Sequence, residues 1–282
     1  MPDNTLVNTQ TLAEHLDDPE WIVFDCRFSL QSPDEGRNKY HSAHIPGAHY
    51  ADLDRDLAGP KQAHTGRHPL PDTEIFTTWL SNKGVARDSQ VVVYDDMGGV
   101  VAVRLWWMLR MLGHHSVAVL DGGWPAWTGS GHAVATDDPL SVPGNFSAVP
   151  QPELWVSTND VEQLTVDART VIVDARAGPR FKGEHEPIDP VAGHIPGAVN
   201  HPCNDNLDDQ GFFLAPEQLR QNFQELFEGK DSADIVNMCG SGVTACHNIL
   251  AMEIAGWSGT RLYVGSWSEW IADPRRTVEI SV

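Results

Sequence analysis

Short continuous apolar runs alternate along this chain with longer stretches of helical spacing. The runs at 21–25, 91–94 and 117–120 are rich in β-branched residues and bounded by polar or glycine-containing segments, which predicts short buried strands. Between them the spacing predicts helices at about 9–16, 73–82 and 100–112. Pro71-Asp72-Thr73-Glu74 marks a helix start, Gly84 its stop, and Gly113 closes the stripe at 100–112. The same alternation returns with runs at 171–174, 234–238 and 261–264 and helices near 216–228 and 243–255. Strands alternating with helices predict parallel βαβ units with helices on both sheet faces. Ligands of such folds bind at the carboxyl ends of the strands.

The pattern occurs twice because the sequence does. Ile22-Val23-Phe24-Asp25-Cys26-Arg27 returns as Val171-Ile172-Val173-Asp174-Ala175-Arg176, and His44-Ile45-Pro46-Gly47-Ala48 as His194-Ile195-Pro196-Gly197-Ala198. Val91-Val92-Val93-Tyr94-Asp95 aligns with Ile235-Val236-Asn237-Met238-Cys239, and Gly122-Gly123-Trp124-Pro125-Ala126-Trp127 with Gly265-Ser266-Trp267-Ser268-Glu269-Trp270. The order of all four matches is kept, so the chain is read as two homologous halves. Glycines and prolines between 128 and 151 punctuate the join. The expected division is a domain at 1–140, a linker at 141–155 and a second domain at 156–282.

Composition narrows the function classes. The 282 residues are 41% hydrophobic and 21% charged, as in a globular protein. A formal net charge of −20 argues against nucleic acid or an anionic membrane as partner, since both require a basic footprint. Any anionic substrate must be drawn in by local groups, against the global field. The first residues carry neither a basic region nor an apolar core, and no apolar run approaches a membrane span. Cys26, Cys203, Cys239 and Cys246 include no CxxC pair, which suits free thiols in a reducing cytoplasm and gives no basis for a zinc site.

The densest chemistry lies in Cys239-Gly240-Ser241-Gly242-Val243-Thr244, between a predicted strand end and a predicted helix start. Backbone N–H groups there have no intrahelical partner and, with the helix dipole, favour a thiolate. Two glycines let successive N–H groups turn inward as an anion-binding nest. In the first half Asp95 stands at the position of Cys239, so that half is expected to lack a nucleophile.

Together these motifs resemble the rhodanese superfamily, specifically its tandem-domain sulfurtransferases, over nearly the whole chain. The resemblance implies an α/β fold of two tandem rhodanese-like domains, each a parallel-sheet core flanked by helices. The loop is similar to that of the 3-mercaptopyruvate sulfurtransferases; thiosulfate-specific members carry two basic residues where this chain has Gly240 and Ser241. It implies a ping-pong reaction in which Cys239 takes a sulfur atom from a small donor, 3-mercaptopyruvate or thiosulfate, and passes the persulfide sulfur to cyanide, a small thiol or thioredoxin, with no cofactor and no metal. Gly240, Gly242, Val243 and Thr244 are expected to hold the sulfur anion, and Arg180 to hold the donor's carboxylate. Ser241, His68 and Asp52 match family positions for a proton relay. One departure concerns the donor: Ile188 stands where a second substrate arginine is expected. A noncatalytic persulfide carrier is the remaining alternative. A phosphatase of this fold needs an arginine at 245, where the chain has Ala245.

Overall fold

The computed structural model describes residues 4–227 and 229–281. Glu228, the predicted end of the helix near 216–228, lies outside the described residues. The first sheet holds β1 (Leu6–Val7), β2 (Trp21–Asp25), β3 (His49–Tyr50), β4 (Gln90–Tyr94) and β5 (Val117–Leu120), in the order β1-β5-β4-β2-β3. Its helices are α1 (Thr9–Glu14), α2 (Glu35–Ser42), α3 (Thr73–Asn82), α4 (Ala102–Met111) and α5 (Gly123–Gly129). The second sheet holds β6 (Trp155–Val156), β7 (Val171–Asp174), β8 (Val199–Asn200), β9 (Ile235–Met238) and β10 (Arg261–Tyr263), in the order β6-β10-β9-β7-β8. Its helices are α6 (Thr158–Leu164), α7 (Gly178–Lys182), α8 (Pro216–Leu226), α9 (Ala245–Ile254) and α10 (Ser266–Trp270). All strand pairs in both sheets are parallel. The expected α/β fold with two repeated parallel sheets is therefore present.

Burial explains the choice of elements. Every residue of β4 and of β9 is buried, as a parallel strand covered on both faces requires. The helices that follow these two strands, α4 and α9, are buried around nearly their whole circumference. α3 instead buries one stripe through Phe76 and Leu80 and is capped by Asp72, whose side chain accepts the N–H groups of Glu74 and Ile75. Equivalent residues fill the two cores: Tyr94 and Trp127 in the first, Met238 and Trp270 in the second.

The two His-Ile-Pro-Gly-Ala segments are packing devices. His44 donates through Nδ1 to Tyr40 O (2.7 Å) and stacks on Tyr40; His194 donates to Phe181 O (2.8 Å) and stacks on Phe181. Asp25–Arg27 and Asp174–Arg176 form buried ion pairs, each 2.6 Å, at the ends of β2 and β7.

The chain divides into two compact units that exchange short segments. The first comprises the chain up to Gly59, Leu70–Gln151 and Asp209–Phe213; the second comprises Pro60–Pro69, Pro152–Asp208 and Leu214 onward. Most of the segment read as a linker at 141–155 runs along the first unit. The N–H groups of Gly144, Val149 and Gln151 donate to the carbonyls of Ser81, Leu112 and Met111, each at 2.8 Å. These carbonyls lie at helix C-termini, where no intrahelical partner exists.

Candidate active site

β9, the central strand of the second sheet, ends at Met238, and residues 239–244 lead from it into α9. Cys239 opens this loop and is buried, 2% exposed. Its N–H donates to Ser266 Oγ (3.1 Å), its carbonyl accepts from the Trp267 N–H (3.0 Å), and Gly240 O accepts from the Ser268 N–H (2.9 Å). The first turn of α10 thus holds the backbone of Cys239. Ser266 has φ +52°, the sole non-glycine residue at positive φ among those described, where the first unit has Gly123 at +53°. That conformation costs on the order of 1 kcal/mol or more. The serine hydroxyl offsets it by linking the Cys239 N–H to Tyr263 O (2.9 Å).

Gly242 turns the loop toward α9. Its φ is +74°, and a Cβ there would stand 2.4 Å from Val264 O. Gly242→Ala is therefore expected to displace the loop, costing about 2 kcal/mol or more. The denaturation midpoint and turnover should fall together; a variant with unaltered turnover would show that the loop's path does not control the chemistry. Beyond the turn, Val243 O and Thr244 O accept from the N–H groups of Cys246 and His247 (3.1 Å each) and start α9. Among the described residues, the N–H groups of Gly240, Ser241, Val243 and Thr244 donate to no protein acceptor.

The first unit displays what such a loop does with an anion. Asp95 follows β4 as Cys239 follows β9. Its Oδ1 accepts from the N–H groups of Met97 and Gly99 (2.8 Å each), and its Oδ2 from those of Val101 and Ala102 (2.7 and 2.9 Å). Burial pushes the Asp95 carboxyl above its ordinary range, against the pull of those four N–H groups.

Ser241 and His68 are brought together. Ser241 Oγ lies 2.8 Å from His68 Nδ1, and both residues are buried. His68 is available because residues 60–69 pack within the second unit. The Gly66 N–H donates to Glu269 Oε2 (3.2 Å) and the Arg67 N–H to Ser268 Oγ (2.9 Å). Asp52, the third residue of the expected relay, belongs to the first unit. There its Oδ1 accepts from the N–H groups of Asp54 and Arg55 (3.0 and 3.2 Å), and its Oδ2 from Arg37 (3.3 Å).

Arg180, on α7, places a guanidinium beside the loop. Its Nε and Nη2 hold Glu186 (2.9–3.1 Å), and Nη2 also reaches Asp189 Oδ2 (3.1 Å). Burial alone would raise the Glu186 carboxyl; Arg180 and the N–H groups of Asp189 and Ile188 outweigh it and hold it below the usual range. Ile188 is 44% exposed and contributes only that N–H. Arg176 is committed elsewhere, to Asp174, Gly193 O (2.8 Å) and the face of Trp267. The sequence reading overlooked Arg67, whose Nη1 lies 2.6 Å from Asp189 Oδ1. A Cβ on Gly240 would stand 3.0 Å from Arg67 Nη2 and 3.6 Å from Arg180 Nη2, so two guanidiniums flank the loop one residue past the cysteine.

No disulfide joins any of the four cysteines. Burial, and then the neighbouring Cys239, push the Cys203 thiol up to about 12, so it stays protonated at neutral pH. Cys246 is fully buried, with Sγ 3.5 Å from Gly242 O. Among the described residues no cluster of histidine, cysteine and carboxylate side chains is arranged to hold a metal. No described helix is long and apolar enough to cross a membrane.

A buried cysteine that opens a glycine turn between the central parallel strand and a helix, beside main-chain N–H groups with no protein acceptor, is the equipment of a thiol-based group-transfer protein. The rhodanese-like domain matches residues 8–130 and 157–273, and the chain belongs to the rhodanese family. It is 48% identical over 280 residues, 99% of both chains, to a probable 3-mercaptopyruvate sulfurtransferase of Pseudomonas aeruginosa. It is 36% identical to a thiosulfate sulfurtransferase of Mus musculus, covering 94% of this chain and 91% of that one. The crystal structure of the 3-mercaptopyruvate sulfurtransferase SseA from Escherichia coli superposes with a TM-score of 0.81 at 33% identity, covering 94% of this chain and 99% of that one.

Proposed function

We propose that this protein is a cytoplasmic sulfurtransferase that takes the sulfur of 3-mercaptopyruvate onto Cys239 and passes it to cyanide or a thiol, small or carried by a protein such as thioredoxin. The observation that carries the donor assignment is the buried Ser241–His68 hydrogen bond of 2.8 Å, two residues from the cysteine, in a loop with no cationic side chain at 240 or 241. Four cysteines with no disulfide among them suit a reducing compartment.

The Cys239 thiolate attacks the donor's sulfur, forming an S–S bond as the C–S bond breaks. The carbon leaves as the enolate of pyruvate and takes up the proton that the donor thiol gives up. In this reading Ser241 and His68, hydrogen-bonded to one another, pass that proton. The persulfide anion left on Cys239 faces the N–H groups of residues 240–244, as the Asp95 carboxylate faces its own loop. Cyanide then removes the outer sulfur as thiocyanate and restores the thiolate.

The test is kcat/KM for 3-mercaptopyruvate and for thiosulfate side by side, with cyanide as acceptor. Mercaptopyruvate is expected to be preferred by more than about tenfold, roughly 1.4 kcal/mol of transition-state discrimination. His68→Asn and Ser241→Ala are expected to lower kcat for mercaptopyruvate by about 10²-fold or more while sparing thiosulfate, whose departing sulfite needs no proton on carbon. A preference for thiosulfate in the unaltered protein would sink the assignment.

A further inference from the structure

We propose that the open cavity beside Trp124 in the first unit is a docking site for an extended, basic segment of a partner protein, held by main-chain carbonyls that accept from Arg27 and Trp124.

The second unit displays the equivalent place filled. There residues 183–193 run between α7 and His194. Val191 O accepts from Trp267 Nε1 (2.9 Å), and Glu186 Oε2 accepts from Arg176 Nη1 (3.4 Å). In the first unit Arg27 and Trp124 form the same pair. The Arg27 guanidinium lies 4.4 Å from the centre of the Trp124 ring, as that of Arg176 lies 4.7 Å from Trp267. The Trp124 N–H donates to Asp95 O (2.8 Å), as the Trp267 N–H does to Cys239 O. What differs is the cover. Only Ala43 separates α2 from His44. A cavity of about 700 Å³ opens there, with Arg27 and Trp124 in its wall. Arg27 is 3% exposed and spends Nε and Nη2 on Asp25 and Ala43 O. Among the described residues, neither Arg27 Nη1 nor Trp124 Nε1 meets an acceptor. The segment 28–34 borders the cavity through Ser32, Pro33 and Asp34 without supplying one. Donors on side chains buried to this degree are ordinarily paired, so these two N–H groups mark where acceptors belong.

Charge selects the occupant. Arg27 is answered by Asp25 (2.6 Å), and Lys39 by Asp96 and Glu35 (2.8 and 3.0 Å). Asp34 stands on the rim with only the exposed Arg55 near it, at 3.6 Å. Acids therefore outnumber cations around the opening, on a chain of net charge −20. A carboxylate placed as Glu186 is in the second unit would add to that excess. A neutral carbonyl would not, and a lysine or arginine on the same segment reduces it. An extended peptide meets both demands, with carbonyls along its backbone and side chains directed alternately to the rim and to solvent. Recognition of a partner thus falls to the half that carries Asp95 where the other carries Cys239.

The probe is a fluorescent peptide with the sequence of residues 183–193 carrying Glu184→Lys and Glu186→Lys; Pro187 and Pro190 keep it extended. Titrated into the full-length protein, it is expected to bind with a Kd below about 1 mM. The unchanged 183–193 sequence should bind about tenfold more weakly, and added salt should narrow the gap. In nitrogen-15 spectra the indole N–H resonance that Trp124→Phe removes should shift on binding. Trp124→Phe keeps the ring over Arg27 but not the donor, and should weaken the peptide about fivefold. Asp34→Lys, at an exposed position, should weaken it by a similar factor. Both variants should keep sulfur transfer to cyanide within about twofold, which reports an intact fold. An unmoved Trp124 resonance, equal affinity for the two peptides, or unchanged affinity in either variant overturns the proposal. A resonance that moves with pyruvate and not with the peptide marks a small-carboxylate site and overturns it as well.

Discussion

Cys239→Ser is expected to lower sulfur transfer by about 10⁴-fold or more, to the level of the uncatalysed reaction. A serine hydroxyl is not ionised at neutral pH and forms no stable bond to a sulfane sulfur, so both half-reactions lose their carrier. The neighbouring thiols offer no replacement. Cys203 is held protonated, and Cys246 lies fully buried inside α9. Cys246→Ser should keep most of the activity, because a hydroxyl can take over the contact to Gly242 O at the cost of a small misfit. Thiocyanate formation measures the rate. Mass spectrometry of the protein incubated with donor alone should show a gain of one sulfur atom in the unaltered chain and in Cys246→Ser, and none in Cys239→Ser. Substantial turnover by Cys239→Ser would refute the mechanism.

The second large effect concerns stability. Asp95→Ala strips the acceptor from four buried N–H groups, and Asp95→Asn turns an amide NH₂ toward two of them. An unsatisfied buried donor costs about 1–3 kcal/mol, and release of a buried carboxyl offsets part of the sum. We expect about 3–5 kcal/mol of destabilisation for either variant, a fall in Tm of roughly 10 °C. The amides of Met97, Gly99, Val101 and Ala102 should lose protection from hydrogen exchange. If Asp95→Asn matches the unaltered protein in both Tm and exchange, the carboxylate is not the group that closes this loop.

How far these features could be read in advance follows from their size. The longer strands and helices lie within two residues of the pattern: 171–174 is Val171–Asp174, 73–82 is Thr73–Asn82 and 100–112 is Ala102–Met111. β1, β3, β6 and β8 have two residues each, too few to show a period, and α7 is a single turn begun by Gly178-Pro179. The likeness of the halves exposed the duplication and, through it, the pairing of Asp95 with Cys239. Ser241, Arg180 and His68 lie in motifs, and the structure puts Ser241 and His68 in contact. Arg67 had no signal of its own. It lies in a proline- and glycine-bounded loop of the first half, and only the exchange of segments puts it beside Gly240.

That exchange makes the duplication irreversible. A chain begun at Pro152 would retain Cys239, Ser241 and Arg180 but would lack Gly66, Arg67 and His68. A chain ended at Gln151 would lack the segment Asp209–Phe213, whose Phe213 N–H donates to Asp121 Oδ1 (3.0 Å). Each half has lent the other a piece it no longer owns. Gene fission at the repeat boundary would therefore yield two incomplete proteins, and a half that carries Asp95 where the other carries Cys239 is still not free to be discarded.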